Sequence, residues 1–287
     1  MRLMIQHETR YRYASAPSSA IEVLRLTPCN SDTQSVREWR IVLSADAPLL
    51  RFEDAFGNIT HTFTAPLDEL GELTMTATGT VETSGSSGVI TGARERLPLG
   101  VYLRETSLTE RTPALEALAA EAKGASNGSA LDFAHNLNRM INERIRYEQG
   151  RTQSSSVADE ALAAGEGVCQ DMAHIIIAAA RAEGVPARYV SGYQFDPERS
   201  ENQAGHAWAE LHIADLGWVG FDPTAGSCSN EAYVRVAIGL DYLSASPVRG
   251  AVYGGEGEEL DVTVTIDERG GWAPPLRGQS QSQSQSQ

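Results

Sequence analysis

Three residues of this chain, Cys169, His206 and Asp222, are of types that together could perform nucleophilic catalysis. A thiolate attacks a carbonyl carbon and an imidazole carries the proton. A carboxylate then fixes the imidazole tautomer and stabilises its protonated form. Cys169 follows Gly165 and Gly167 and opens an apolar run that contains Ile175-Ile176-Ile177-Ala178-Ala179-Ala180 and is closed by Gly184 and Pro186. This punctuation predicts a helix from about Cys169 to Glu183 with a glycine C-cap. Its middle is apolar nearly all round, so the helix belongs in the interior. At its N-terminus, unpaired N–H groups and the helix dipole favour the thiolate and can hold an oxyanion. Asp171, in the first turn, opposes this slightly. The alternative is a buried structural cysteine, and the local sequence alone does not choose between the two.

The proposed partners sit on a predicted hairpin. Gly205-His206-Ala207-Trp208-Ala209-Glu210-Leu211-His212-Ile213 alternates as a strand, Ala214-Asp215 forms a short turn, and Leu216 to Thr224 returns. A turn centred on Ala214 sets His206 opposite Asp222, and directly opposed residues project from one face. A one-residue shift in the turn is expected to break this alignment. Taken singly, His206 reads equally as a satisfied core histidine and Asp222, before Pro223, as a turn residue. It is the joint fit of three positions to one mechanism that favours catalysis.

Other residues are weaker candidates. Tyr147, near the end of a helix expected from about Ser129 to Tyr147, could give a second oxyanion donor or be a packed aromatic. Trp208 shares a strand face with His206 and could bind substrate, shield the site or simply pack. A metal site from Cys169, His174, His206 and His212 fails on spacing. The first two do not share a helix face, and the last two lie roughly 20 Å apart along a regular strand. His174 reads as a packing residue of the helix and His212 as a solvent-side strand residue. Cys29 and Cys228 have no partner motif.

The elements that must position these groups divide the chain. Residues 1–100 read as β-rich, with alternation in His7–Tyr13, Ile21–Leu26, Trp39–Leu43 and Leu73–Glu82 and a turn at Asp54–Asn58. This region suggests a small antiparallel sandwich, interrupted by a Ser/Gly stretch at Ser84–Gly88, and offers no obvious chemistry. Residues 105–272 form the candidate catalytic core. Helices are expected from Thr112-Pro113 to about Gly124 and over Val157–Ala164, and strands return after Gly184 as far as Leu260–Ile266. Residues 273–287 end in Gln-Ser repeats and should be disordered.

The composition is that of a soluble globular protein, 41% hydrophobic and 21% charged over 287 residues. A net charge of −15 argues against nucleic acid or an anionic membrane as partner. The N-terminus has no apolar signal region and no run approaches transmembrane length. Three cysteines, an odd number, do not make a disulfide framework. A cytoplasmic location is the expectation, and nothing in the sequence bears on oligomeric state.

Gly167–Ala173, Arg181–Tyr193, Gly205–Glu210 and Trp218–Thr224 resemble the bacterial transglutaminase-like proteins, in the same order Cys…His…Asp, over about residues 145–255. The first hundred residues look like the N-terminal domain that often precedes this core. The resemblance implies an α+β fold with a papain-like core, a cysteine helix packed on an antiparallel sheet. It assigns Cys169 as nucleophile, His206 as general base and acid, and Asp222 as orienting carboxylate, with no metal or cofactor. Leu240 departs from the pattern, since relatives usually carry arginine there. The implied activity is acyl transfer through a thioester on a peptide or protein amide. Hydrolysis of a peptide, isopeptide or glutamine side-chain amide is favoured over cross-linking to an amine. A non-enzymatic binding module on the same fold is the competing class.

Overall fold

The structure, a computed structural model, describes residues 1–67, 71–85, 87–198 and 205–268. The tail expected at 273–287, and Ser86 of the Ser/Gly stretch, lie outside the described residues. The N-terminal part contributes β1 (Arg2–Ser15), β2 (Ser19–Thr27), β3 (Gln34–Leu43), β4 (Leu50–Glu53), β5 (Ile59–Pro66) and β6 (Glu72–Thr83). A short β7 (Val89–Ile90) and a 3-10 turn at Leu99–Leu103 lead to α1 (Pro113–Gly124) and α2 (Ala130–Arg144). Then come β8 (Arg146–Tyr147), α3 (Ala158–Ala164), β9 (Glu166–Gly167) and α4 (Cys169–Ala182). The strands β10 (Ala187–Gln194), β11 (His206–Ile213), β12 (Gly217–Asp222), β13 (Ser227–Cys228) and β14 (Tyr233–Gly239) follow. The short α5 (Tyr242–Ala245) precedes β15 (Val248–Tyr253) and β16 (Glu256–Glu268).

The helices start where the sequence supplies caps. Thr112 accepts from Leu115 N with Pro113 in the first turn, and Ser129 accepts from Asp132 N. The second helix is shorter than expected. It stops at Arg144, and Ile145 is already extended, because Arg146 and Tyr147 leave to pair in parallel with Glu166 and Gly167.

α4 is the central element. Ile175, Ile176 and Ile177 are all fully buried, packed among α1, α2, α3 and the strands β10 and β11. Each such side chain contributes about 1.5–3 kcal/mol of burial free energy. The sheet behind it runs β13-β12-β11-β10-β14, with β7 also on β12.

The sandwich is not confined to the first hundred residues. Its two four-stranded sheets have the orders β16-β1-β6-β3 and β15-β2-β5-β4. The two last strands, expected to go with the core, instead pair antiparallel with β1 and β2. The alternation explains this. Leu260, Val264 and Ile266 of β16 bury one face, as Leu3, Ile5, His7 and Thr9 do in β1, and the two strands are in register over nearly their whole length. The chain thus has β1 and β16, its first and last described strands, side by side in one sheet.

Candidate active site

α4 begins at Cys169, as the glycine punctuation predicted. The Asp171 carboxylate folds back to accept from Val168 N at 2.8 Å and from Thr152 Oγ1 at 2.7 Å, capping the first turn. This return needs Gly167: a Cβ there would stand 2.8 Å from Asp171 Oδ2 and 2.9 Å from its Cβ. Burial pushes the Asp171 carboxyl up, against the hydrogen bonds from Thr152 and Val168. The first intrahelical bond near Cys169 runs from Met172 N to Val168 O, so the N–H groups before it are the open helix end.

His206 Nε2 and Asp222 Oδ2 are 2.7 Å apart, with the histidine 11% exposed and the aspartate 0%. Cys169 lines the same cavity and is close enough to the imidazole to raise it by hydrogen bonding and charge. With Nε2 occupied by Asp222, Nδ1 is the ring nitrogen left to exchange a proton with the thiol. Burial alone would lower the imidazolium, but the hydrogen bonds and charges of Asp222 and Cys169 outweigh it and hold His206 at about 10. Burial likewise works against the Asp222 carboxylate, yet His206, Tyr233 and the Thr224 N–H keep it below its ordinary value.

The hairpin register differs from the expected one. Its turn holds three residues, Ala214, Asp215 and Leu216, with Asp215 at φ 67°, and the ladder closes Ile213 on Gly217 and Glu210 on Gly220. Continuing the ladder places Trp208 opposite Asp222, so His206 and Asp222 are diagonal neighbours. The turn is centred on Asp215 instead of Ala214, which moves each partner by two positions, and a two-residue slip preserves the face. The pair therefore meets, although the expected opposition does not hold.

Tyr233, which nothing in the sequence singled out, donates its hydroxyl to Asp222 Oδ2 at 2.7 Å. It reaches the aspartate, on β12, from β14, across β10 and β11, and Gly192 of β10 makes room for the Trp208 ring against which it packs. A Cβ at Gly192 would sit 2.1 Å from Val234 O and 2.8 Å from the Trp208 ring. Trp208 stacks near His206 at 6.1 Å between centroids, and Tyr233 packs on both rings. Only a sheet order placing β14 beside β10 reveals this contact, which local spacing does not encode.

The other candidates fall as follows. Trp208 is 1% exposed and backs the histidine instead of facing the cleft, which argues against the substrate-binding option. Tyr147 is exposed, and its pairing with Gly167 brings it beside the head of α4. His174 is buried and accepts from Tyr242 N at 3.1 Å, and burial pushes it down to about 4. His212 is half-buried and packs on Trp218. Cys29, Cys169 and Cys228 are all free thiols. Among the described residues no group of His, Cys, Asp or Glu could hold a metal ion. The backbone carbonyl of Leu240, the residue that departs from the expected pattern, accepts from the buried Arg181 at 2.7 Å. The same guanidinium also binds the carbonyls of Tyr102 and Ala187, and so ties α4 to the loop before α5.

Cys169 and His206 open into a cavity of about 220 Å³. Tyr147, Gln149, Tyr189 and Tyr242 line it from the core, and His7, Thr9 and Tyr11 from the sandwich. The N-terminal part, which offered no obvious chemistry in sequence, thus forms one wall of the site.

Comparison with known proteins is consistent with this geometry. The family model described as the transglutaminase-like superfamily matches residues 116–223, and that of the bacterial transglutaminase-like N-terminal region matches residues 3–82. An uncharacterized protein of Mycobacterium leprae is 30% identical over 278 residues, 92% of this chain and 98% of the relative. A protein-glutamine gamma-glutamyltransferase of Pseudomonas aeruginosa is 31% identical over 146 residues, 42% of this chain and 21% of that enzyme. The structure of a cysteine-protease candidate from Cytophaga hutchinsonii superposes with a TM-score of 0.74 at 19% identity. That match covers 97% of this chain and 94% of the other, and shows a shared fold.

Proposed function

The chain belongs to the transglutaminase-like superfamily, and from that premise we propose that it is a thiol acyl-transfer enzyme that hydrolyses a peptide, isopeptide or glutamine side-chain amide. The observation that carries this reading is the position of His206, bonded to Asp222 at 2.7 Å on one side and within reach of Cys169 on the other. In the first half-reaction Cys169 Sγ attacks the amide carbonyl carbon while its proton resides on His206 Nδ1. The negative charge on the carbonyl oxygen falls to the open N–H groups at the head of α4. His206 then gives its proton to the nitrogen as the C–N bond breaks, releasing an amine or ammonia and leaving a thioester. In the second half-reaction water attacks the thioester, losing a proton to His206. The thiolate leaves and recovers that proton, and a carboxylic acid departs. Asp222 holds the ring orientation throughout. Tyr147, exposed at the cavity beside Cys169, serves as a second donor to the oxyanion.

The specific second reading is transfer to an amine, favoured by the resemblance of 42% of the chain to the Pseudomonas aeruginosa gamma-glutamyltransferase. Both readings share the thioester and differ only in the acceptor. Hydrolysis is favoured because water needs no binding site of its own. A cytoplasmic location is part of this proposal, resting on the small, odd number of cysteines in the sequence. The test is mass spectrometry of glutamine and isopeptide substrates incubated with wild type and Cys169→Ala, with and without a lysine donor. Cleaved or deamidated products lost in the variant are expected. Exclusive lysine cross-links would replace hydrolysis with transfer, and activity surviving in Cys169→Ala would overturn both.

A further inference from the structure

The active-site cavity does not end at the catalytic core. Beyond Cys169 and His206 it runs into the seam between core and sandwich, where β1 and β16 lie side by side. Their register puts His7 beside Val264, Thr9 beside Val262 and Tyr11 beside Leu260, and all six line the cavity. Val262 packs against both the sandwich core and the cluster that joins β1 and β16 to β14, so it sits at the seam itself.

This wall is apolar or electrically silent. The His7 ring nitrogens are both engaged, Nδ1 with the Tyr193 hydroxyl at 2.9 Å and Nε2 with Thr9 Oγ1 at 3.2 Å. Burial pushes His7 down to about 4, so it is neutral at physiological pH. Arg25, also in the lining, is paired with Asp54 at 3.1 Å. Among the described residues no aspartate or glutamate lines the cavity. Behind Tyr11, burial and then the charge of Glu258 push the Glu22 carboxyl up to about 8, which keeps it largely protonated below that pH. A charged side chain entering here would lose its hydration and find no unpaired opposite charge among the described residues. An apolar one gains free energy in proportion to the area it removes from water. The whole cavity, catalytic end included, has a volume of about 220 Å³, below the roughly 300 Å³ of sites for drug-sized ligands, so the seam end has room for no more than one side chain.

We propose that this seam is a specificity pocket for a bulky, uncharged side chain, aromatic or branched aliphatic, next to the amide that Cys169 attacks. The pocket deepens the acyl-transfer reading and rests on it for the placement of the amide. It also gives the sandwich a part in recognition, because β1 and β16, from opposite ends of the sequence, together select the substrate.

The test reads binding without turnover, so that its failure is distinguishable from failure of the catalytic reading. Full-length Cys169→Ala is titrated calorimetrically with N-acetyl-phenylalaninamide and with the matching glutamate and lysine amides. The phenylalanine probe should bind at least 10-fold more tightly than either charged probe. Val262→Phe, which fills the seam, should remove that preference. Val262→Ala, which widens it and is the milder change, should shift preference toward the larger N-acetyl-2-naphthylalaninamide. Equal or tighter binding of a charged probe, or a preference unmoved by both substitutions at Val262, would overturn the proposal.

Discussion

At His206 two opposing forces meet. Burial works to strip the imidazolium of its proton, while Asp222 and the thiol hold it there, and the ring ends at about 10. His206 therefore binds its proton more tightly in the folded than in the unfolded chain. The imidazolium–Asp222 pair contributes stability that is fully present below about 6.5 and lost as pH rises toward 10. The melting temperature of the wild type should accordingly fall more steeply between about pH 6.5 and 10 than that of His206→Gln, and equal slopes would count against the pair. Tyr233 adds a second donor to the same carboxylate oxygen. A hydrogen bond to a charged group contributes about 1.5–3 kcal/mol, so Tyr233→Phe should lower the urea midpoint by a cost of that order. It should also move the alkaline limb of Cys169 alkylation by iodoacetamide up, because an Asp222 carboxylate with one donor fewer holds the imidazolium more tightly. An unchanged midpoint and limb would speak against the contact. The three catalytic candidates were legible in sequence because their types and order carry the chemistry. Tyr233 was not, since its reach depends on a strand order that brings β14 into one sheet with β12.

At the scale of elements, the head of α4 depends on a glycine whose role is steric. Gly167 lets the Asp171 carboxylate return to Val168 N. Gly167→Ala should overpack this turn and cost about 1–3 kcal/mol, read as a lower urea midpoint. A midpoint within error of wild type would mean the cap tolerates the methyl group. The limits of α4 were readable from its glycines and from Pro186. The hairpin was readable as a hairpin, but its turn holds one residue more than the sequence suggested, and dihedral angles at Asp215 and Gly217 decide that count. The site survived the error because a strand's side chains repeat every two residues. The end of α2 was misplaced because Ile145 continues the apolar pattern of the helix while its backbone has already turned to strand.

Across the whole molecule, the sandwich is closed by β15 and β16. Alternation showed β16 clearly as a strand. It could not show which edge the strand joins, because pairing between segments so distant in sequence is set by the assembled core. A chain ended after Ser246 lacks one of the two strand partners of β1 and one of the two of β2, and takes the β16 and β15 side of their cover from Leu3, Ile5 and Leu24. It should lose cooperative thermal unfolding in circular dichroism and bind a hydrophobic dye. A cooperative transition near that of the full chain would show that the first six strands hold a fold by themselves. The same closure explains why the N-terminal part showed no chemistry in sequence, since its contribution is a surface made jointly by β1 and β16.

The central claim is that Cys169 is the nucleophile of an acyl transfer served by His206 and Asp222, and mass spectrometry of the acid-quenched enzyme after brief exposure to p-nitrophenyl acetate tests it most directly. One acetyl group should be found, on the peptide carrying Cys169, and it should be absent from Cys169→Ala and slow to form in His206→Gln. Acetylation confined to Cys29, Cys228 or lysine, or a Cys169 adduct that forms equally fast without His206, would contradict the account.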